Sequence, residues 1–121
     1  MKVAVTAVGN DLDAEVDPRF GRAPYFVIVE TDDMSFEALA NEAADASGGA
    51  GPAAAQAVAD AGAQAVLTGN CGPNAHRTLE AAGIKVHIGA TGTVREAVER
   101  YLGGEYGEAT EPNVRGGFGT S

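Results

Sequence analysis

Hydrophobic and polar positions divide the chain into two regimes. The first is strand-like. Lys2 to Ala7 is a short run with valines at 3 and 5, and Tyr25 to Thr31 (YFVIVET) is a continuous β-branched and aromatic run. Such a run suits a strand buried on both faces. After Asp32-Asp33, the segment Ser35 to Asn41 alternates Phe36, Ala38 and Ala40 with Glu37, Leu39 and Asn41. So short a link predicts an antiparallel hairpin.

Helical periods then alternate with short strands. Pro52 to Ala61 reads as a helix with a face of alanines and Val58, stopped by Gly62; Ala63 to Thr68 follows as a fourth strand. Pro73 opens a second helix, where its missing N–H costs nothing. Ala75, Leu79 and Ala82 are its apolar positions and Gly83 its end. Ile84 to Ile88 is a fifth strand with Lys85 and His87 on its wetter face. Thr93-Val94-Arg95-Glu96 has the form of a capping box. It opens a last helix striped by Val94, Ala97, Val98, Tyr101 and Leu102, with Arg95–Glu99 and Glu96–Arg100 spaced for surface pairing.

The predicted order is β-β-β-α-β-α-β-α. Right-handed crossovers make the later strands parallel, and the hairpin adds to the same sheet. The first strand then lies between the hairpin and the fourth strand, and the order reverses beside it. Ligands of open α/β sheets bind outside the carboxyl ends of strands at such a switch point. The loops leaving those ends are Val8–Pro24 and Gly69–Pro73, so these two should meet. A further link, Asp45 to Gly51, is Gly-rich. Its Gly49-Ala50-Gly51-Pro52-Ala53-Ala54 fits a dinucleotide fingerprint only superficially, because no strand runs into it. Residues 1–104 are expected to form one domain, with 105–121 a Gly-rich, flexible tail.

Composition narrows the partners. The 121 residues carry 17 Asp and Glu against 8 Lys and Arg, a formal net charge of -9. An acidic surface repels nucleic acid and anionic membranes. No apolar run has the roughly 18 residues of a membrane span, and the N-terminus enters a strand pattern directly, so a cytoplasmic location is expected. A single cysteine, Cys71, excludes an intrachain disulfide and a Cys-rich metal centre.

Against this acidic background, Asp17-Pro18-Arg19-Phe20-Gly21-Arg22-Ala23-Pro24 stands out. Arg19 and Arg22 offer planar, permanently charged donors and Phe20 an apolar wall for an anion; equally, the arginines fit salt bridges to Glu15 or Asp17 that fix a loop. Gly21 suits a close backbone approach. In the second loop, Asn70, Cys71, Gly72 and Asn74 flank a helix N-terminus, where an anion is favoured and a thiol pKa is lowered. The alternative for Cys71 is a buried small hydrophobe, the commoner fate of a lone cysteine. His76 fits a surface helix position, His87 an edge-strand surface. Neither makes a metal site without further ligands. No Ser-His-Asp set or paired carboxylates mark a catalytic mechanism.

Taken together, Arg19 to Phe26, Gly49-Ala50-Gly51, Thr68 to Ala75, Ala82 to Val86 and Gly92 to Ala97 resemble the dinitrogenase iron–molybdenum cofactor biosynthesis family. The resemblance implies a ribonuclease-H-like, three-layer α/β fold: a five-stranded mixed sheet of order 3-2-1-4-5, strand 2 antiparallel, with three helices. It implies a non-catalytic carrier or scaffold of an anionic metal–sulfur cluster, working with metallocluster assembly proteins or ATPases. The usual motif has a cofactor-ligating His where this chain has Arg19. The Asp-Pro-Arg-Phe-Gly-Arg form is similar to the orange-protein-like branch, which favours a molybdenum–copper sulfide cluster, with an iron–molybdenum cofactor precursor the other cluster type that the resemblance implies. On that reading Arg19 and Arg22 offset the cluster's charge, Phe20 excludes water, and Asn70, Cys71, Gly72 and Asn74 form the opposite wall, with Cys71 a candidate sulfur ligand. The alternatives are an acidic protein-interaction module and, by fold analogy alone, a phosphoesterase.

Overall fold

The computed structural model describes residues 1–42 and 50–107. In chain order these form β1 (Lys2–Ala7), β2 (Tyr25–Glu30), β3 (Phe36–Ala40), α1 (Ala50–Asp60), β4 (Ala65–Leu67), α2 (Pro73–Ala81), β5 (Lys85–His87) and α3 (Val94–Leu102). The five strands make one sheet of order β3-β2-β1-β4-β5. β2 runs antiparallel to both β1 and β3, while β4 is parallel to β1 and β5. This is the ribonuclease-H-like order that the sequence implied.

Successive side chains of a strand point to opposite faces, and both faces are covered. Ala4, Phe26, Ile28, Val66 and Val86 pack under α1 and α2, against Ala54, Ala55, Val58, Ala75 and Leu79. Val3, Val5, Val27, Val29, Ala65 and Leu67 pack under α3, against Val94, Ala97 and Val98. Small residues let the helices approach closely. A Cβ on Gly51 would lie 3.2 Å from that of Ala75, where the first turns of α1 and α2 touch. Gly62 and Gly83 follow α1 and α2 with φ of +85° and +78°, the left-handed conformation that ends helices readily only with glycine. At α3 the capping box is complete: Glu96 N–H donates to Thr93 Oγ1 at 3.1 Å and Thr93 N–H to Glu96 Oε1 at 2.9 Å.

Tertiary packing changes several local expectations. α1 starts at Ala50, so Ala50 and Gly51 belong to its first turn; the rest of the expected Gly-rich link, from Asp45 to Gly49, lies outside the described residues. In β3, Leu39 packs on the core beneath α1 while Phe36 stays 44% exposed. The register decides this, since Leu39 pairs with Phe26 and Phe36 with Val29 on the other face. In α2 it is His76, not Ala82, that is buried. His87 is also buried, rather than a surface residue of an edge strand. Tyr101 covers it edge-on at 4.9 Å, and its Nδ1 lies 3.1 Å from the Gly107 carbonyl oxygen. Tyr106 packs against the α3 side of the core. Among the described residues, Arg95 pairs with Asp13 at 3.6 Å and Arg100 donates to the Thr91 carbonyl at 3.2 Å. The long connection thus takes the cation that an i,i+4 pair would have used. No described helix is long and apolar enough to cross a membrane.

Leu79 is fully buried between α2 and the sheet. Leu79→Ala should lower the free energy of unfolding by about 2–5 kcal/mol, whereas Glu99→Gln should change it by no more than about 0.5 kcal/mol, both read by urea titration.

Candidate functional site

Two threonines stand at the same end of the sheet, Thr6 next to the last residue of β1 and Thr68 just past β4, and both are fully buried. Their hydroxyls are 2.8 Å apart. Thr6 Oγ1 also donates to the Asp17 carbonyl oxygen at 2.6 Å. A hydroxyl has one proton, so Thr6 gives its proton to Asp17 and accepts that of Thr68. The Asp17 N–H returns a bond to the Thr6 carbonyl at 2.9 Å. The chain leaving β1 is thereby brought back to the strand end it left.

From there the two loops join. Arg19 and Asn70 form a one-residue parallel bridge. Asn70 N–H donates to the Pro18 carbonyl at 2.8 Å, Asn70 Nδ2 to the same oxygen at 3.2 Å, and Phe20 N–H to the Asn70 carbonyl at 3.2 Å. Gly69 is required here: a Cβ would sit 2.7 Å from Pro18 Cα. The meeting of loops expected from strand order is therefore present, and it is tight.

The electrostatics centre on Asp17 and Arg19. Asp17 is buried, its side chain only 3% exposed, while the Arg19 side chain is 62% exposed above it. Asp17 Oδ1 accepts from Arg19 N–H at 2.8 Å and from Nε at 3.1 Å, and Oδ2 accepts from Nη2 at 3.1 Å. Burial alone would push the Asp17 carboxyl up. The side-chain and backbone hydrogen bonds and the charge of Arg19 together outweigh it and hold the carboxyl below its usual range. The structure thus realises the loop-fixing pair with Asp17, without removing Arg19 from the surface. Arg22 is exposed on the same loop.

Phe20 departs from its expected place as a ligand wall, and Cys71 takes the commoner of its two expected fates, a buried small hydrophobe. Phe20 is 2% exposed and packs against Phe26, ring centroids 5.4 Å apart and tilted by 42°, within the core under α1 and α2. It anchors the loop from below and offers no wall to a ligand. Cys71 is 1% exposed in the same cluster, and its thiol donates to the Gly72 carbonyl at 3.8 Å. Burial pushes the thiol up to about 12, the reverse of the lowering expected at a helix N-terminus. The helix start itself remains open to an anion in one respect: Gly72 caps α2 in extended conformation, Pro73 follows, and no side chain caps the turn. Asn74, in that turn, is exposed, and Gly21 and Gly72 are half-buried.

One residue of this region escaped the sequence reading. Asn41, just past β3, donates from Nδ2 to the carbonyls of Gly21 at 3.1 Å and Ala23 at 2.8 Å, and its N–H donates to Pro24 at 2.9 Å. It clasps the arginine loop from the side. Its only sequence signal was a turn-forming residue at the end of a strand pattern. The two histidines do not join the site as a pair: His76 is on α2, above one face of the sheet, and His87 points to the α3 face. Among the described residues no group of three or more His, Cys, Asp or Glu is arranged to hold a metal ion. A cavity of about 300 Å³ lined by Lys2, Ile28, Glu30, Ser35, Phe36 and Glu37 lies at the opposite end of β1 and β2 from these loops.

Residues 1–104 match the family model described as dinitrogenase iron-molybdenum cofactor. Among solved structures, the apo form of the orange protein from Desulfovibrio gigas is 48% identical, over 93% of this chain and 95% of that one, with a TM-score of 0.90. A Thermotoga protein provisionally assigned as NifB, of the DUF35 family, is 40% identical over 88% of this chain and 91% of that one, with a TM-score of 0.77. An uncharacterized protein from Methanocaldococcus jannaschii is 31% identical over 87% of this chain and 88% of its own length.

Two measurements check this geometry. Native protein at pH 8 should resist iodoacetamide at Cys71 and react fully only in denaturant; rapid native alkylation would show an accessible thiolate. The lowered pKa of Asp17 gives a stability contribution that is present above the unfolded-state value of about 4 and is lost as pH falls through the lower folded-state value. Asp17→Asn should therefore be less stable than wild type at pH 7, with the gap closing below about pH 4 in urea titrations.

Proposed function

Because the chain belongs to the dinitrogenase iron-molybdenum cofactor family, we propose that it binds and carries an anionic metal–sulfur cluster without itself being a catalyst. The observation that carries this reading is the junction of the arginine loop with the open start of α2. The loop that carries Arg19 and Arg22 is bridged, at Arg19 and Asn70, to the loop that opens α2, in a protein of net charge -9. Guanidinium groups and helix N–H groups are both donors suited to negative charge.

The donor set supports electrostatic capture over ligation. Arg19 stands where the family's usual motif has His, and a guanidinium cannot ligate a metal. The Cys71 thiol is buried and protonated. In this reading Arg19 and Arg22 offset the cluster's charge, and Asn70 with the N–H groups of Gly72 and Asn74 bonds its outer sulfides. Phe20, Gly21 and Cys71 hold these groups in place from beneath. A pre-formed cluster of the molybdenum–copper sulfide type fits this set better than an iron–molybdenum precursor that needs a protein ligand. The similarity to the orange protein is consistent with that choice. The protein would receive its cluster from, and deliver it to, metallocluster assembly proteins.

Anaerobic reconstitution with tetrathiomolybdate and copper should give a coloured protein with molybdenum and copper retained through gel filtration. Arg19→Ala/Arg22→Ala should retain at least tenfold less metal while keeping its fold, and Cys71→Ala should retain as much as wild type. Equal and negligible uptake by wild type and the double variant would overturn the proposal. Loss of uptake in Cys71→Ala would restore a ligand role for the thiol.

A further inference from the structure

Asp17 presents a contradiction within the site. A carboxylate that is 3% exposed lies directly beneath the arginine offered to an anion. If charge alone recruited the ligand, Asp17 would oppose it. Yet Asp17 is firmly held: its backbone is bonded both ways to Thr6, and its two carboxylate oxygens take three donors of Arg19.

We propose that Asp17 sets the anion selectivity of this site: it fixes the plane of the Arg19 guanidinium and cancels enough of its charge that small, strongly hydrated oxyanions are not retained. This rests on the proposed function in taking the arginine loop as the anion site. The physical argument concerns hydration. Phosphate or sulfate must lose tightly bound water to enter, and needs a concentrated positive charge to compensate. The Asp17 carboxylate offsets the Arg19 guanidinium that it holds, so Arg19 does not present a full, concentrated positive charge. A sulfide-faced cluster is large, polarisable and weakly hydrated. It gains from a pre-oriented planar guanidinium, which is itself weakly hydrated, and from extended contact with Asn70 and the start of α2. Asp17 thus acts through Arg19, as a positioning and specificity-determining residue.

The test measures inorganic phosphate binding by amide chemical-shift titration in wild type, Asp17→Asn, Arg19→Ala and the double variant Asp17→Asn/Arg19→Ala. Asn is nearly isosteric and keeps an acceptor for the Arg19 N–H groups. Asp17→Asn should bind phosphate about tenfold more tightly than wild type, with shifts at Arg19, Gly72 and Asn74, and the gain should vanish in the double variant. A gain of binding cannot arise from a damaged fold. Unchanged or weaker phosphate binding in Asp17→Asn would overturn the proposal, as would a gain that persists without Arg19. The same four proteins are then challenged with tetrathiomolybdate and copper. If wild type takes up no cluster while Asp17→Asn gains phosphate through Arg19, the cluster reading fails and the role of Asp17 at an anion site stands. If wild type takes up cluster and Asp17→Asn shows no gain of phosphate, the cluster reading stands and the selectivity role fails.

Discussion

Two buried threonine hydroxyls at the ends of parallel strands determine where the rest of the site can go. Thr6 and Thr68 share one hydrogen bond, and Thr6 passes its own proton to the Asp17 carbonyl. Buried hydroxyls without partners would be costly, so the pair works only if the loop returns to complete it. That return places Pro18 against Gly69, aligns Arg19 with Asn70, and directs Phe20 into the core. The loop is long, but its backbone is tied to β1, to the second loop, to Asn41 and to the segment that opens α3. Its geometry therefore belongs to the sheet and not to a flexible surface segment.

The sheet was readable because its signals are redundant. β2 is an unbroken apolar run, β4 and β5 are each followed by a helix closed by glycine, and chirality leaves few ways to arrange them. That arrangement alone brings the two unusual loops to one end of the sheet. What sequence could not supply was the direction of individual side chains. Phe20 was expected to face a ligand and His76 to lie on a helix surface, and both are buried, because α1 and α2 close over that face through alanine and glycine contacts that periodicity does not reveal. Asn41 was illegible for the opposite reason: it acts on carbonyls of residues far away in sequence.

These placements alter the chemistry of the site. A protein with a thiolate or imidazole at this junction would ligate a metal. With the thiol pushed up to about 12 by burial and an arginine paired to a buried carboxylate, this chain offers hydrogen-bond donors and a tempered positive charge. Such a surface suits a cargo that must be released intact, since no metal–protein bond has to break.

The proposed place of the cargo is the junction of the two loops. Titrating isotopically labelled protein with the molybdenum–copper sulfide cluster, and mapping the perturbed amides and the Arg19 Nε–H signal, tests this most directly. The account predicts that the largest changes fall on Arg19, Arg22, Asn70, Gly72 and Asn74. Changes confined to the cavity around Lys2, Ser35 and Phe36, or to His87 and its neighbours on the α3 face, would contradict it.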